Sequence, residues 1–183
     1  MVDQWYLDIA GLGARSPEFV RWFSAFATDA IIGVFPVMFV VVWWRARHRQ
    51  AAAMARAIAA PVLAVVAYVV SEVVKNIWQE DRPCRVLGDV ATIVTCPEFG
   101  DWSFPSNHAT VAGAAAAGIL WSSRNLGIVA AGLAVLAALS RVFVGAHYPH
   151  DVLAGLLLGV ALAAFVPPLA RAMTPVVARV RTR

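Results

Sequence analysis

The chain has 183 residues, 61% of them hydrophobic and only 14% charged, against roughly 25% charged in an ordinary soluble domain. A water-soluble globule of this length cannot bury that much apolar surface, and disorder, coiled coil and collagen each need a different composition. The net charge of +4 comes from 14 Arg, one Lys and 11 acids. The cations flank apolar runs and form no dense basic stripe, which excludes nucleic acid as a partner and matches the positive-inside bias of a membrane protein.

In chain order, residues 3 to 25 mix Trp5, Leu7, Ile9, Leu12, Phe19, Trp22 and Phe23 with Asp3, Asp8, Arg15, Glu18 and Arg21. This is too polar to span, so residues 1–25 are expected to form an interfacial amphipathic segment anchored by Trp. Acids replace the basic start of a signal peptide. Five apolar runs follow, near Ala30–Trp44, Ala51–Val74, Thr110–Trp121, Leu126–Leu139 and Val152–Leu169. A spanning helix needs about 20 such residues. The third run is short and rich in Ala and Gly, which favours close helix packing. Pro61 is a candidate kink in the second. The expected fold is a single all-α integral membrane domain over residues 1–183, with about five transmembrane helices.

Five spans place the two ends of the chain on opposite sides. One side collects Arg45, Arg47, Arg49, Arg56, Arg124, Arg171, Arg179, Arg181 and Arg183 with no acid. The other holds Arg15, Arg21, Lys75, Arg82, Arg85 and Arg141, with all the acids on or near it. The bias predicts a cytoplasmic C-terminus and an outer N-terminus. The loop of residues 75–106 and the turn Arg141–Asp151 then share the outer face.

Those two segments carry the unusual chemistry. Lys75 and Arg82 sit seven apart in KNIWQEDRP, a spacing that a helix would place on one face. Two cations aimed at one point suit a phosphate or diphosphate, although interfacial snorkelling is the simpler explanation of such a pair taken alone. Pro83 biases Arg82 out of the helix. In Phe104-Pro105-Ser106-Asn107-His108, Ser106 is a candidate N-cap, and the free amides of the following turn attract an anion. Arg141 offers a planar fork of donors. His147 and Asp151 are four apart, so the carboxylate can accept from one ring nitrogen and leave the other as nucleophile or base. Two His and a carboxylate resemble a zinc set, but three converging cations would repel the ion, and no metal or other cofactor is expected. Glu80, Asp81, Asp101, Tyr148 and His150 receive no role.

These clusters fit, in order, the signature Lys-x6-Arg-Pro, Pro-Ser-x-His and Ser-Arg-x5-His-x3-Asp, and on them the chain resembles the type 2 phosphatidic acid phosphatase superfamily. Asn107 stands where that family often has Gly. Asn107, the N-terminal segment and the small size are similar to the bacterial undecaprenyl-diphosphate phosphatases within it. The resemblance implies a metal-independent lipid phosphatase. His147 would be the nucleophile that forms a phosphohistidine, Asp151 its orienting partner and His108 the general acid. Lys75, Arg82, Ser106, Asn107 and Arg141 would hold the phosphate oxygens. The implied partners are a lipid phosphate or diphosphate and the bilayer of a bacterial plasma membrane, with the site on the extracytoplasmic face. Self-association as a homo-oligomer is left open.

Other readings keep part of this. A phosphatidylglycerol phosphate, phosphatidic acid or polyprenyl-phosphosugar phosphatase would share the chemistry. A non-catalytic protein that binds or moves anionic lipid would need the cations but neither His. Vanadate haloperoxidases share the motifs but are soluble. Cys84 and Cys96, the two cysteines, fall in the outer loop, where an oxidising compartment permits a disulfide.

Overall fold

The computed structural model describes residues 2–88 and 90–181. Arg183 and the side chain of Asp3, both in the charge count above, lie outside what it describes. The described residues are all-helical: α1 Val2–Ala14, α2 Glu18–Ala46, α3 Ala51–Trp78, α4 Pro83–Val86, α5 Asn107–Leu120, α6 Arg124–Phe143, α7 Pro149–Ala163 and α8 Val166–Arg181. Four stretches are long and apolar enough to cross a membrane: α2, α3 with its extension to Val86, α6, and α7 running into α8.

The first boundary differs from the sequence expectation. Residues 18–25 are the first turns of α2, and only α1 remains as the separate N-terminal segment. Pro17 precedes the helix, where its fixed φ suits a helix start, and no breaker lies between it and Ala30. Glu18 and Arg21, which seemed to forbid a span here, are exposed in the first turns of the helix, and Asp29 further along it pairs with His108 and Arg141. Exposed Trp22 and Trp43 lie near the two ends of α2. Twenty-one residues at 1.5 Å each separate them by about 31 Å, close to the roughly 30 Å thickness of a hydrocarbon core.

The third apolar run becomes α5, with 14 residues and so a length of about 21 Å. It is too short to cross unaided, and it sits at the centre of the bundle with Ala109, Ala112, Ala114, Ala115 and Ile119 fully buried. Lipid tails are as apolar as Leu, so helix association here depends on close van der Waals contact. Small residues supply it. A Cβ on Gly159 would collide with the Thr110 carbonyl, and one on Gly155 with the Ser106 carbonyl. Backbone-to-backbone approach of α5 and α7 thus fixes the first turn of α5 against the middle of α7. Pro61 lies inside the continuous helix α3.

Between α3 and α5 the chain forms a long loop that includes α4. The Cys84–Cys96 disulfide closes it, and Arg85 Nη2 donates to the Pro97 carbonyl. At the far side, Tyr6 of α1 is fully buried and donates to the Gly145 carbonyl at 3.0 Å. Burial pushes its phenol up to about 12. The N-terminal helix therefore braces the turn between α6 and α7 that carries His147.

Candidate active site

The three motif clusters converge on one polar pocket of about 370 Å³, lined by Lys75, Arg82, Asp101, Asn107, His108, Arg141 and His147. Its centre is the α6–α7 turn. Gly145 adopts φ +83° with the Thr92 side chain against it, a conformation glycine accepts without a Cβ penalty. This turn delivers His147 into the interior, 2% exposed, beside the fully buried Asp151.

Asp151 Oδ2 is the junction of the site. His147 Nδ1 lies 3.3 Å from it, the Ser103 hydroxyl donates to it at 2.5 Å, and the Tyr148 amide donates to it at 2.9 Å. A carboxylate acceptor places the proton on Nδ1 and leaves the Nε2 lone pair toward the pocket. Burial pushes the His147 imidazole down to about 4, against the opposing pull of the Asp151 hydrogen bond. The ring is therefore neutral at neutral pH.

Arg82, 3% exposed, lies against that edge of the ring. Its Nη1 lies 3.3 Å from His147 Nε2 and donates to the Ala146 carbonyl at 3.0 Å. Its Nε and Nη2 donate to the carbonyl and carboxylate of Asp101, both at 2.8 Å. Lys75 Nζ reaches the same Asp101 Oδ1 at 3.1 Å. The two cations meet, but not by the helical spacing first expected: α3 ends at Trp78, Gln79 turns left-handed, and Arg82 is extended. Desolvation would raise the Asp101 carboxyl, but the Arg82 hydrogen bond and the Lys75 charge outweigh it and hold the carboxyl below its ordinary value.

A second group faces this one. Asp29 Oδ1 lies 2.9 Å from His108 Nε2 and 3.3 Å from Arg141 Nη1. Asn107 accepts from Ser71 at 2.7 Å and donates to Glu72, so its side chain is held by α3. Ser106 precedes α5 as expected but makes no side-chain cap. The first amide bonded within that helix is Thr110, to the Ser106 carbonyl, which leaves the amides of residues 107–109 ahead of it unpaired within the helix. Two buried donors also lack a hydrogen-bond partner among the described residues: the Ser106 hydroxyl and Arg141 Nε. Buried polar groups are nearly always satisfied, so these donors fit an anion with several acceptor oxygens.

Asp29, Glu72, Asp101 and Ser103 take part without having been selected from the sequence. Asp29 and Glu72 did carry a signal, since acids inside apolar helices are costly and usually functional. The pairing of Asp101 and Ser103 depends on how the loop folds back, which no spacing reveals. His150 lies 2.8 Å from Glu80 Oε1 and 3.1 Å from Asp151 Oδ1.

The depressed His147 value has a consequence for stability. Unfolded His titrates near 6.5 and folded His147 near 4, so acid protonates the unfolded chain first. The stabilisation is complete above the unfolded value and is lost as pH falls from there through the folded one. Wild-type protein should therefore lose more thermal stability than His147→Gln between pH 7.5 and about 4.5, by on the order of 2–3 kcal/mol. Parallel melting curves for the two proteins in detergent would refute this.

A family model described as the PAP2 superfamily matches residues 56–174. An undecaprenyl-diphosphatase of Sulfolobus acidocaldarius is 39% identical over 99 residues, covering 52% of this chain and 46% of that protein. The undecaprenyl-diphosphatase BcrC of Bacillus subtilis is 27% identical over 135 residues, covering 74% of this chain and 67% of that protein. A decaprenylphosphoryl-5-phosphoribose phosphatase of Mycobacterium tuberculosis is 36% identical over 104 residues, covering 56% of this chain and 55% of that protein. The match thus spans about half the length of the first and third of these relatives. No solved structure matches.

Proposed function

The chain belongs to the PAP2 superfamily, and from that premise we propose that it hydrolyses a polyprenyl diphosphate, such as undecaprenyl diphosphate, to the monophosphate. The observation that carries this reading is the shape of the site. The cationic pocket and an apolar groove of about 570 Å³ between α2 and α3 share Ile32, Tyr68 and Val111. The groove is lined by Phe35, Pro36, Phe39, Val40, Pro61 and Val65, with almost no polar surface. A diphosphate head in the pocket would leave its hydrocarbon tail in the groove. The names of the Sulfolobus and Bacillus relatives favour the same lipid. The Mycobacterium relative favours a phosphorylated polyprenyl sugar as the second reading.

The residues take the following roles. His147 Nε2 attacks the terminal phosphorus as the bond to the bridging oxygen breaks, giving a phosphohistidine. Asp151 holds the Nδ1 proton and stabilises the positive ring. His108 protonates the departing monophosphate, then takes a proton from the water that attacks phosphorus and frees His147. Lys75, Arg82, Arg141, Ser106 and the amides of Asn107 and His108 hold the equatorial oxygens. Phosphoryl transfer needs mainly positioning and charge stabilisation, which these cations supply without a metal ion. The Arg-rich, acid-free end of the bundle supports a cytoplasmic C-terminus. The same asymmetry favours a pocket at the extracytoplasmic face of a bacterial plasma membrane.

Phosphate release in detergent with EDTA, from undecaprenyl diphosphate, phosphatidylglycerol phosphate and a water-soluble short-chain diphosphate, tests the reading. The polyprenyl substrate should be preferred. Val65→Trp, at an exposed position of the groove wall, should raise KM for the long-chain substrate about tenfold, the scale of one lost large apolar contact, and leave the short-chain substrate unchanged. Equal effects on both substrates would remove the groove from substrate binding. Preference for the glycerophospholipid would replace the proposed substrate.

A further inference from the structure

We propose that the opposite end of the bundle carries a second phosphate-binding site, formed by Arg45, Arg49, Arg56, Ser122 and Ser123, which takes the phosphate of an anionic lipid head group or a free phosphate ion. These residues line a polar recess of about 110 Å³, room for three or four waters and so for one phosphate group. Asp29 lies beside the catalytic pocket, and Arg45 is 16 residues further along the same helix. The two sites are therefore separated by about 24 Å along α2.

Three features make this a built site. First, none of its three guanidinium groups has an ion pair among the described residues. Residues 30–71 and 102–150 contain no Asp or Glu, and neither does the chain after Asp151, so no acid of those stretches can pair with the three guanidinium groups. A positive-inside bias explains Arg near a membrane end but not three of them around one recess. Second, Arg56 Nε and the Ser122 hydroxyl are shut off from solvent and have no hydrogen-bond partner among the described residues. Both are donors, and phosphate oxygens would satisfy both. Third, two long helices begin here. Ala53 of the first turn of α3 lines the recess, and Ser122 and Ser123 immediately precede α6 without a side-chain cap. Helix starts present free amides and favour negative charge.

The surrounding backbone is held in place. Arg181 of α8 donates to the carbonyls of Arg47 and Arg49, and the Arg47 guanidinium lies over the Trp44 ring. The turn between α2 and α3 is therefore fixed before any ligand binds.

The test is thermal melting and native mass spectrometry of the full chain in detergent. The probes are phosphatidylglycerol, phosphatidylcholine and inorganic phosphate. Phosphatidylglycerol should raise the melting temperature and remain bound in preference to phosphatidylcholine. The triple variant Arg45→Gln, Arg49→Gln, Arg56→Gln should weaken that binding at least tenfold. The single variant Arg49→Gln, at an exposed position, gives a smaller loss in a protein that keeps its fold. Stabilisation by millimolar phosphate alone, also lost in the variants, would identify the free ion as the ligand. The proposal is overturned if the two lipids stabilise wild type equally and phosphate does nothing, or if the variants keep the wild-type preference. Neither readout depends on catalysis, so failure of the proposed activity would leave it standing.

Discussion

His147→Ala should lower phosphate release by about four orders of magnitude, the scale on which removal of a nucleophile acting with its partners abolishes turnover. The structure gives this expectation its detail. His147 is 2% exposed, its Nδ1 faces the Asp151 carboxylate, and its Nε2 faces Arg82 and the pocket. No other imidazole shares that arrangement, since His108 is held by Asp29 and His150 by Glu80. Quenched reactions with labelled substrate should trap an acid-labile, base-stable phosphoryl group on wild-type protein and none on the variant. Retention of even about a hundredth of the wild-type rate, with the fold intact by melting, would assign the nucleophile elsewhere.

The pocket as described is internally neutralised. Asp101 occupies Lys75 and Arg82, and Asp29 occupies Arg141 and His108. An incoming phosphate therefore replaces carboxylate contacts and does not meet naked cations. Asp101 and Asp29 are half or more exposed at the side chain, so they can turn outward at little cost, whereas the buried guanidinium and ammonium groups remain. This arrangement keeps three cations together without substrate, which mutual repulsion would otherwise oppose.

The sequence made the cations and both His residues of the site legible, because each sits at a motif spacing beside an apolar run, where charge is unusual. It also made the Cys84–Cys96 pairing legible. Two things were hidden for identifiable reasons. The start of α2 was obscured because Glu18 and Arg21 make residues 3–25 look too polar to span, whereas both lie exposed in the first turns of a long helix. The meeting of Lys75 with Arg82 was expected from one helix face. It arises instead because the loop folds back and brings Asp101 between them, a consequence of tertiary packing that local spacing does not encode. The short α5 shows the same limit: its Ala and Gly content predicted close packing, and its contact with α7 explains how a helix of 14 residues can occupy the centre of the bundle.

Arg82→Lys is the variant that separates charge from geometry. It keeps one positive charge at a buried position, so a role limited to electrostatics would leave most of the activity. Arg82 instead uses three different nitrogens on the Asp101 carbonyl, the Asp101 carboxylate and the Ala146 carbonyl, with His147 Nε2 beside the last. An ammonium has its three donors at one point and cannot span these acceptors. Leaving a buried carbonyl without its donor costs about 1–3 kcal/mol, and the turn that aims His147 loses its tie through Ala146. Loss of a preorganised donor to the reacting phosphoryl group adds a factor of about 10² to 10³ in kcat. The expected result is therefore a fall of at least two orders of magnitude in kcat, together with a lower melting temperature. Arg21→Lys at an exposed site of α2 should change neither. If Arg82→Lys kept a third or more of the wild-type kcat, the fork geometry would be dispensable, and Arg82 would act only as a point charge on the phosphate.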